Sequence, residues 1–293
     1  MKSFYLKQVY IVCKATEDGD QCREQATIRE QAKVLVQKLR EQFIVVVRND
    51  WDEATEPTDC EGALWLTDCA EIASRLISHR LPVMMWLHEG NRQHSFPDIR
   101  YAVEDPEELE ADFYDKIYRR FIGIPWEIAR THRCIIRETM VEDVDSLIKI
   151  YQNPGITRYT HSFCTEPDRE REYVKEYIEK NYAFLGFGVW SVLWKATGEV
   201  IGRVGFEQPF AGQEELLSLG YMIAEPWQGK GIAEEVCRAA LYFAKEELQV
   251  SKVQVVVHPQ NRPSLRLAEK LGVREWQDIN EKGITCRKGI LVP

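Results

Sequence analysis

The segment Gly123-Ile124-Pro125-Trp126 divides the chain into two stretches whose elements follow different orders, and this change of order constrains the fold more than any other feature. Proline cannot continue a helix and pushes the residue before it out of the helical region. A helix arriving near Phe121 must therefore end there. With 293 residues to distribute, more than one ordinary core is expected. The break predicts a first domain over 1–123, a linker over 124–132 and a second domain over 133–293.

Ahead of the break, strands and helices alternate. Val9–Cys13, Phe43–Val47, Ala63–Leu66, Pro82–Leu87 and Tyr101–Val103 read as strands. Thr27–Gln42, Cys69–His79 and Glu107–Phe121 carry helical periodicity. Unbroken apolar strands alternating with helices point to a parallel sheet covered on both faces, so a small three-layer, Rossmann-like α/β domain is expected. Beyond Arg133 the order becomes α+β. The expected strands are Cys134–Glu138, Phe184–Trp194, Val200–Glu207, Leu216–Ala224, Val253–His258, Arg274–Trp276 and Ile284–Ile290. Helices are expected over Glu142–Gln152, Asp168–Tyr182, Lys230–Leu248 and Ser264–Leu271.

Charge narrows the partners. The net charge is −9, and residues 1–130 hold 17 basic against 24 acidic side chains. An acidic surface opposes electrostatic capture of nucleic acid. No apolar run approaches the roughly 20 residues that span a bilayer, and no signal-peptide pattern opens the chain, so a cytoplasmic protein is expected. Eight cysteines are scattered without a C-x-x-C pair or a histidine at zinc spacing, which predicts reduced structural thiols and no metal.

The stretch that carries chemistry runs from Leu216 to Ala244. A strand through Gly220-Tyr221-Met222-Ile223 is halted by Glu225-Pro226, and Gln228-Gly229-Lys230-Gly231-Ile232-Ala233 opens a helix. Glycine lets backbone approach a ligand without a Cβ in the way. First-turn N–H groups lack helical partners, and the helix dipole adds partial positive charge. Together they make a seat for a pyrophosphate, with Lys230 as a mobile cation. Some thirty residues on, a strand ends at His258-Pro259-Gln260-Asn261, followed by Ser264 and a helix closing at Glu269-Lys270-Leu271-Gly272.

On these motifs residues 133–293 resemble the GNAT superfamily of N-acetyltransferases. Gln228, Gly231 and Ala233 match its Q/R-x-x-G-x-G/A signature, and Asn261, Ser264 and Glu269–Gly272 match the later asparagine segment. Arg137-Glu138-Thr139, Glu142-Asp143 and Gly220-Tyr221 resemble the RimJ/RimL-like branch, which acetylates protein N-termini and some small amines. The resemblance implies a mixed sheet splayed between its fourth and fifth strands, with acetyl-CoA in the opening. Met222, Ile223 and Ala224 would pair with the pantetheine, residues 228–233 would hold the pyrophosphate, and Asn261 would bind the pantetheine arm or a water beside it.

Two positions depart from the family pattern. Ser218 stands where the branch often carries an acid, and Ala268 where many members carry the tyrosine that serves the leaving thiolate. Glu207 is the candidate proton acceptor, with Glu214 and Glu215 as fallbacks, and Ser264 is the candidate donor to sulfur. A solvated strand-end glutamate and an ordinary helix cap are the competing roles. Tyr159 and Phe163, in a loop-like segment, are candidates for the acceptor pocket.

The first domain faintly resembles the later half of haloacid-dehalogenase-like phosphatases, on Leu64–Asp68 and Val103–Leu109. The Asp-x-Asp such enzymes need after the first strand is missing after Val9–Cys13, while Asp50-Trp51-Asp52 has the spacing in another place. The loop His88–Arg92 follows a strand's carboxyl end, where α/β domains place ligands. The expected function is acetyl-CoA-dependent acetylation of a primary amine, on a small molecule or a peptide N-terminus. A CoA-binding sensor without turnover and a phosphatase–acetyltransferase fusion are the alternatives, and a homodimer is left open.

Overall fold

The structure is a computed structural model that describes residues 4–13, 23–48, 61–94, 96, 98–159, 166–208, 216–281 and 283–293. The chain forms two compact units, Met1–Ile124 and Pro125–Pro293.

In the first unit, β1 (Gln8–Val12), α1 (Arg23–Leu39), β2 (Ile44–Arg48), β3 (Ala63–Thr67), α2 (Ala70–Ser78), β4 (Val83–Trp86), β5 (Ala102–Val103) and α3 (Ala111–Phe121) follow one another. All five strands are parallel, in the order β2-β1-β3-β4-β5. Successive strand residues point to opposite faces. Tyr10, Val12, Ala63, Trp65, Val83 and Met85 are buried against Ile72, Ala73 and Leu76 of α2. Val9, Ile11, Leu64, Leu66, Met84 and Trp86, on the other face, are buried as well, so both faces of the sheet are covered. The expected helix over Glu107–Phe121 is interrupted. A 3-10 turn occupies Pro106–Glu108, Leu109 and Glu110 are extended, and α3 starts afresh at Ala111. Lys38 of α1 holds this break, donating to the Glu107 carbonyl at 3.2 Å and to Glu110 at 2.9 Å.

The second unit begins earlier than the sequence suggested. The stretch read as a linker contains β6 (Glu127–Arg130), an edge strand paired antiparallel with β7 (Cys134–Arg137). Apolar character at Ile128 and Ala129 was too brief to register as a strand, and partnership with β7 makes it one. The chain continues through α4 (Val144–Tyr151), α5 (Pro154–Thr157), α6 (Pro167–Tyr177), a π-helical turn at Ile178–Tyr182 and α7 (Ala183–Leu185). There follow β8 (Val189–Trp194), β9 (Val200–Glu207), β10 (Ser218–Ile223), α8 (Ile232–Glu246), β11 (Val253–Val257), α9 (Arg262–Leu271), β12 (Trp276–Glu281) and β13 (Ile284–Leu291).

The expected strand over Phe184–Trp194 starts only at Val189. Tyrosine hydroxyls occupy the main chain of that residue: Tyr177 accepts its N–H at 2.8 Å and Tyr182 donates to its carbonyl at 2.6 Å. Ahead of it α7 ends at Leu185, and Gly186 takes a φ of +76°. Trp190 lies in the core, edge-on to Phe206 and Phe243.

The eight strands run β12-β13-β11-β10-β9-β8-β7-β6, and β10–β11 is the one parallel pair among them. Val204, Phe206 and Trp190 bury one face against α8, while α4 and α6 cover the other. No helix among the described residues is long and apolar enough to cross a membrane.

The acid pair Glu142-Asp143 is explained by one buried carboxylate. Asp143 receives both guanidinium nitrogens of Arg137 at 2.7 Å, the Met140 N–H at 2.9 Å and the Ser191 hydroxyl at 2.8 Å. It locks the start of α4 to β7 and β8. Removing one member of a buried ion pair strands the other charge. Asp143→Ala is therefore expected to lower the unfolding free energy of this unit by about 3–5 kcal/mol in urea titration. A loss below about 1 kcal/mol would place the pair among the weak surface bridges.

Candidate active site

Parallel strands β10 and β11 are in register at a single position, Ser218 opposite Gln254, supported by the Gln254 N–H donating to the Leu217 carbonyl at 2.9 Å. Beyond that closure the ladder stops, although β10 continues to Ile223 and β11 to Val257. The result is a wedge-shaped opening with its apex at Ser218.

Main-chain alternation along β10 shows what lines the wedge. The Ala224 N–H donates to the Ile201 carbonyl at 2.8 Å, so residues 224, 222, 220 and 218 turn their peptide groups toward β9. Leu219, Tyr221 and Ile223 turn theirs toward β11. The peptide groups of Tyr221 and Ile223 therefore face the opening, while those of Met222 and Ala224 face β9. Even the Ile223 carbonyl is engaged, accepting from the Gln228 side chain at 2.8 Å. Gln228 thus braces the end of β10 with its side chain.

The turn into α8 has the conformation an anion seat requires. Gly229 and Gly231 have φ of +70° and +75°, where an L side chain would be strained. Gly231 is the N-cap of α8 and brings no side chain to satisfy the first-turn N–H groups of Ile232 and Ala233. Among the described residues, the N–H groups of Gly229, Lys230 and Gly231 have no hydrogen-bond acceptor. Lys230 leans its ammonium 5.3 Å over the Trp227 ring, which lies tilted against Trp194 with ring centres 4.5 Å apart.

Two glutamates in the first turn of α8 would repel a phosphate if left unpaired. Glu234 is held by Arg238 at 2.9 Å and Lys270 at 3.7 Å. Glu235 takes the Arg133 main-chain N–H at 2.8 Å and its Nε at 2.7 Å. Burial alone would raise the Glu235 carboxyl, but the Thr131 hydroxyl and Arg133 outweigh it and hold it below the usual range. Arg133 also donates to the Lys230 carbonyl at 2.9 Å, and its second terminal nitrogen lies 3.7 Å from where a Cβ on Gly231 would stand. It therefore clamps the glycine turn from the start of β7. Sequence reading missed Arg133, because nothing in a strand-initial arginine says which loop it reaches.

Across the opening, Asn261 caps α9, accepting the Ser264 N–H at 3.3 Å. The connection between α4 and α6 is tied to both arms. Asn153 donates to Glu225 at 2.5 Å on the β10 side, and the Tyr159 ring lies 5.1 Å from His258 at the end of β11. Tyr159 thus stands at the mouth of the wedge, while Phe163, Glu214 and Glu215 lie outside the described residues. Glu207 sits opposite Ser218 in the β9–β10 ladder, exposed at the apex. Burial raises the phenols of Tyr173 and Tyr177 on α6, Arg203 opposes it, and the Glu207 charge adds to it, which puts Glu207 within electrostatic reach of both.

The sequence profile of the acetyltransferase (GNAT) domain matches residues 133–274. Residues 133–274 are a GNAT acetyltransferase domain. Curated relatives lie in the same half of the chain. The uncharacterized protein YkkB of Bacillus subtilis is 29% identical over 150 residues, covering 48% of this chain and 86% of its own. The uncharacterized N-acetyltransferase p20 of Bacillus licheniformis is 25% identical, covering 51% and 83%. The [ribosomal protein uS5]-alanine N-acetyltransferase of Escherichia coli is 29% identical over 99 residues, covering 34% of this chain and 49% of its own.

GNAT domains use acetyl-CoA, and the residues present fit it: the unladdered edge of β10 suits an extended amide chain, and the glycine turn suits a diphosphate. Gly231→Glu is expected to abolish CoA binding in calorimetry with far-ultraviolet circular dichroism retained. Arg133→Ala should weaken CoA about tenfold and leave pantetheine, which lacks the pyrophosphate, unaffected. Equal losses for both ligands would remove Arg133 from the seat.

Proposed function

We propose that this acyltransferase moves an acetyl group from acetyl-CoA to a primary amine, on a small molecule or at a peptide or protein N-terminus. The observation that carries the proposal is the wedge between β10 and β11, with an anion seat at its wide end and Glu207 at its apex. When bound, acetyl-CoA supplies an acetyl group activated as a thioester. β10 runs five residue steps from the apex at Ser218 to Ile223, about 17 Å, a length suited to an extended pantetheine arm. Diphosphate held at residues 229–233 would therefore direct the thioester end toward Ser218 and Glu207.

In this arrangement the edge of β10 at Tyr221 and Ile223 orients the arm, and Asn261 keeps the first turn of α9 in place beside it. Glu207 accepts the proton that an ammonium acceptor must lose before attack. Tyr173, half exposed on α6, and Tyr177 offer aromatic faces near that carboxylate, a combination suited to a cationic amine. Tyr159 would close the mouth of the pocket. Alignment of amine and thioester supplies much of the acceleration. A peptide or protein N-terminus gains support from the likeness to the uS5-alanine acetyltransferase. For the N-terminal unit we propose no activity, since Asp50 and Asp52 lie outside the described residues.

The test is release of free thiol from acetyl-CoA across a panel of polyamines and alanine-initiated peptides. Glu207→Gln is expected to cut turnover about 10²-fold near neutral pH. Activity should recover as the pH approaches the acceptor's own pKa, where the amine needs no base. Wild-type rates at every pH would remove Glu207 from the reaction.

A further inference from the structure

We propose that Tyr177 is a positioning residue for Glu207, acting with Tyr182 through the π-helical turn at Ile178–Tyr182 and the first peptide groups of β8. The proposal rests on the reading of Glu207 as the proton acceptor.

The need for such a device starts where β7 ends. That strand stops at Arg137, opposite Ser191 of β8. Just ahead of β8, the Gly188 carbonyl accepts the Phe206 N–H of β9 at 2.9 Å. A peptide unit points its N–H opposite to its C=O, so Val189 turns its own groups away from β9, to the side where β7 has already ended. Main-chain groups left without partners inside a fold are costly. The tyrosine hydroxyls replace the missing strand. Tyr177 accepts the Val189 N–H at 2.8 Å, and Tyr182 donates to its carbonyl at 2.6 Å. Tyr182 also accepts the Thr139 N–H at 3.1 Å, and so bridges the chain leaving β7 to β8 as a further rung.

The π-turn is what lets both hydroxyls reach one residue. Five α-helical residues would turn the chain by roughly 500° and leave positions 177 and 182 roughly 140° apart. Bonding from i to i+5 winds the chain more slowly and brings residue i+5 back over residue i. The two rings accordingly meet edge-on, with centroids 5.2 Å apart. They also fill the space beside Gly188, where a Cβ would lie 2.5 Å from the Tyr177 hydroxyl.

The consequence falls on Glu207. It follows Phe206, whose N–H is held by that Gly188 carbonyl, and it closes β9 opposite Ser218 of β10. Alternation along β9 puts its side chain on the sheet face opposite Val204 and Phe206, the face that α4 and α6 cover. The carboxylate is thus set from one side by the β10 ladder and from the other by a strand start that the tyrosines hold. A base must stand within hydrogen-bond reach of the ammonium proton, and a misplacement of about 1 Å can cost about 10²-fold in rate. The Tyr177 hydroxyl acts through the main chain: it fixes where Glu207 stands and takes no proton itself.

The experiment uses the full chain, with free-thiol release from acetyl-CoA followed over a pH series across polyamines and alanine-initiated peptides. Tyr177→Phe keeps the ring and removes only the partner of the Val189 N–H. It is expected to lower kcat about tenfold near neutral pH, with the KM for acetyl-CoA within about twofold of wild type. The deficit should close at high pH, where the amine is already neutral and needs no base. Combined with Glu207→Gln, it should cost no further rate, because both changes remove the same function. Wild-type kinetics in Tyr177→Phe, a deficit equal at every pH, or losses that multiply in the double variant would each overturn the proposal. Circular dichroism and thermal melting establish that the variant folds; if it does not, Tyr182→Phe, which loses the bond to the Val189 carbonyl, carries the same test. An inert Glu207→Gln would instead overturn the assignment of the base, and absence of thiol release by the wild-type chain with every amine would overturn the acetyltransferase reading beneath both.

Discussion

The C-terminal unit depends on a sheet that is allowed to stop pairing. Strands β10 and β11 share one register position, and their peptide groups then separate while both strands continue. Unpaired main-chain groups within a sheet are costly unless something else pairs with them. A cofactor that carries amides along an extended arm can supply those partners. The geometry needed to recognise it is thus created by withholding hydrogen bonds from the protein itself. The neighbouring pairs show how the gap is kept open: β10 is zipped to β9 from Ser218 to Ile223, and β11 to β13 from Val253 to Val257. Each arm is fastened on its outer side, and beyond Ser218 no ladder joins the inner edges among the described residues.

The electrostatics of the wide end follow from the same economy. A helix N-terminus favours anions, yet α8 begins with two glutamates. Arg238, Lys270 and Arg133 pair with them, so the negative charge is answered locally and the exposed N–H groups remain the dominant feature. Arg133 serves twice, neutralising Glu235 and gripping the Lys230 carbonyl. The opposite end is assembled by the other sheet face, where the tyrosines of α6 and the π-turn fasten onto Val189 and bring Glu207 into their field. The α4–α6 connection touches both arms through Asn153 and Tyr159.

Much of this was legible in the chain before any coordinates. Gln228, Gly231 and Ala233, with Asn261 and Ser264 thirty residues on, stand on the turn and helix start that their pattern implies, because glycine conformation and capping are local properties. The strands of the first unit were readable because parallel strands buried on both faces are apolar throughout. Less visible were β6, whose pairing with β7 outweighs its short apolar signal, and the late start of β8, which follows α7 and the left-handed turn at Gly186.

The sequence alone determined which residues could carry the chemistry: a glycine turn ahead of a helix, a capping asparagine, an alanine where a tyrosine is common, a glutamate at a strand end. Tertiary structure decided which of them meet. Only the register of β10 against β9 shows that Tyr221 and Ile223, rather than Met222 and Ala224, face the opening. Only the start of β7 carries Arg133 to the glycine turn. The reason is physical. Backbone conformation is set by neighbours along the chain, whereas a contact between residues forty or a hundred positions apart exists only after the sheet has closed around it.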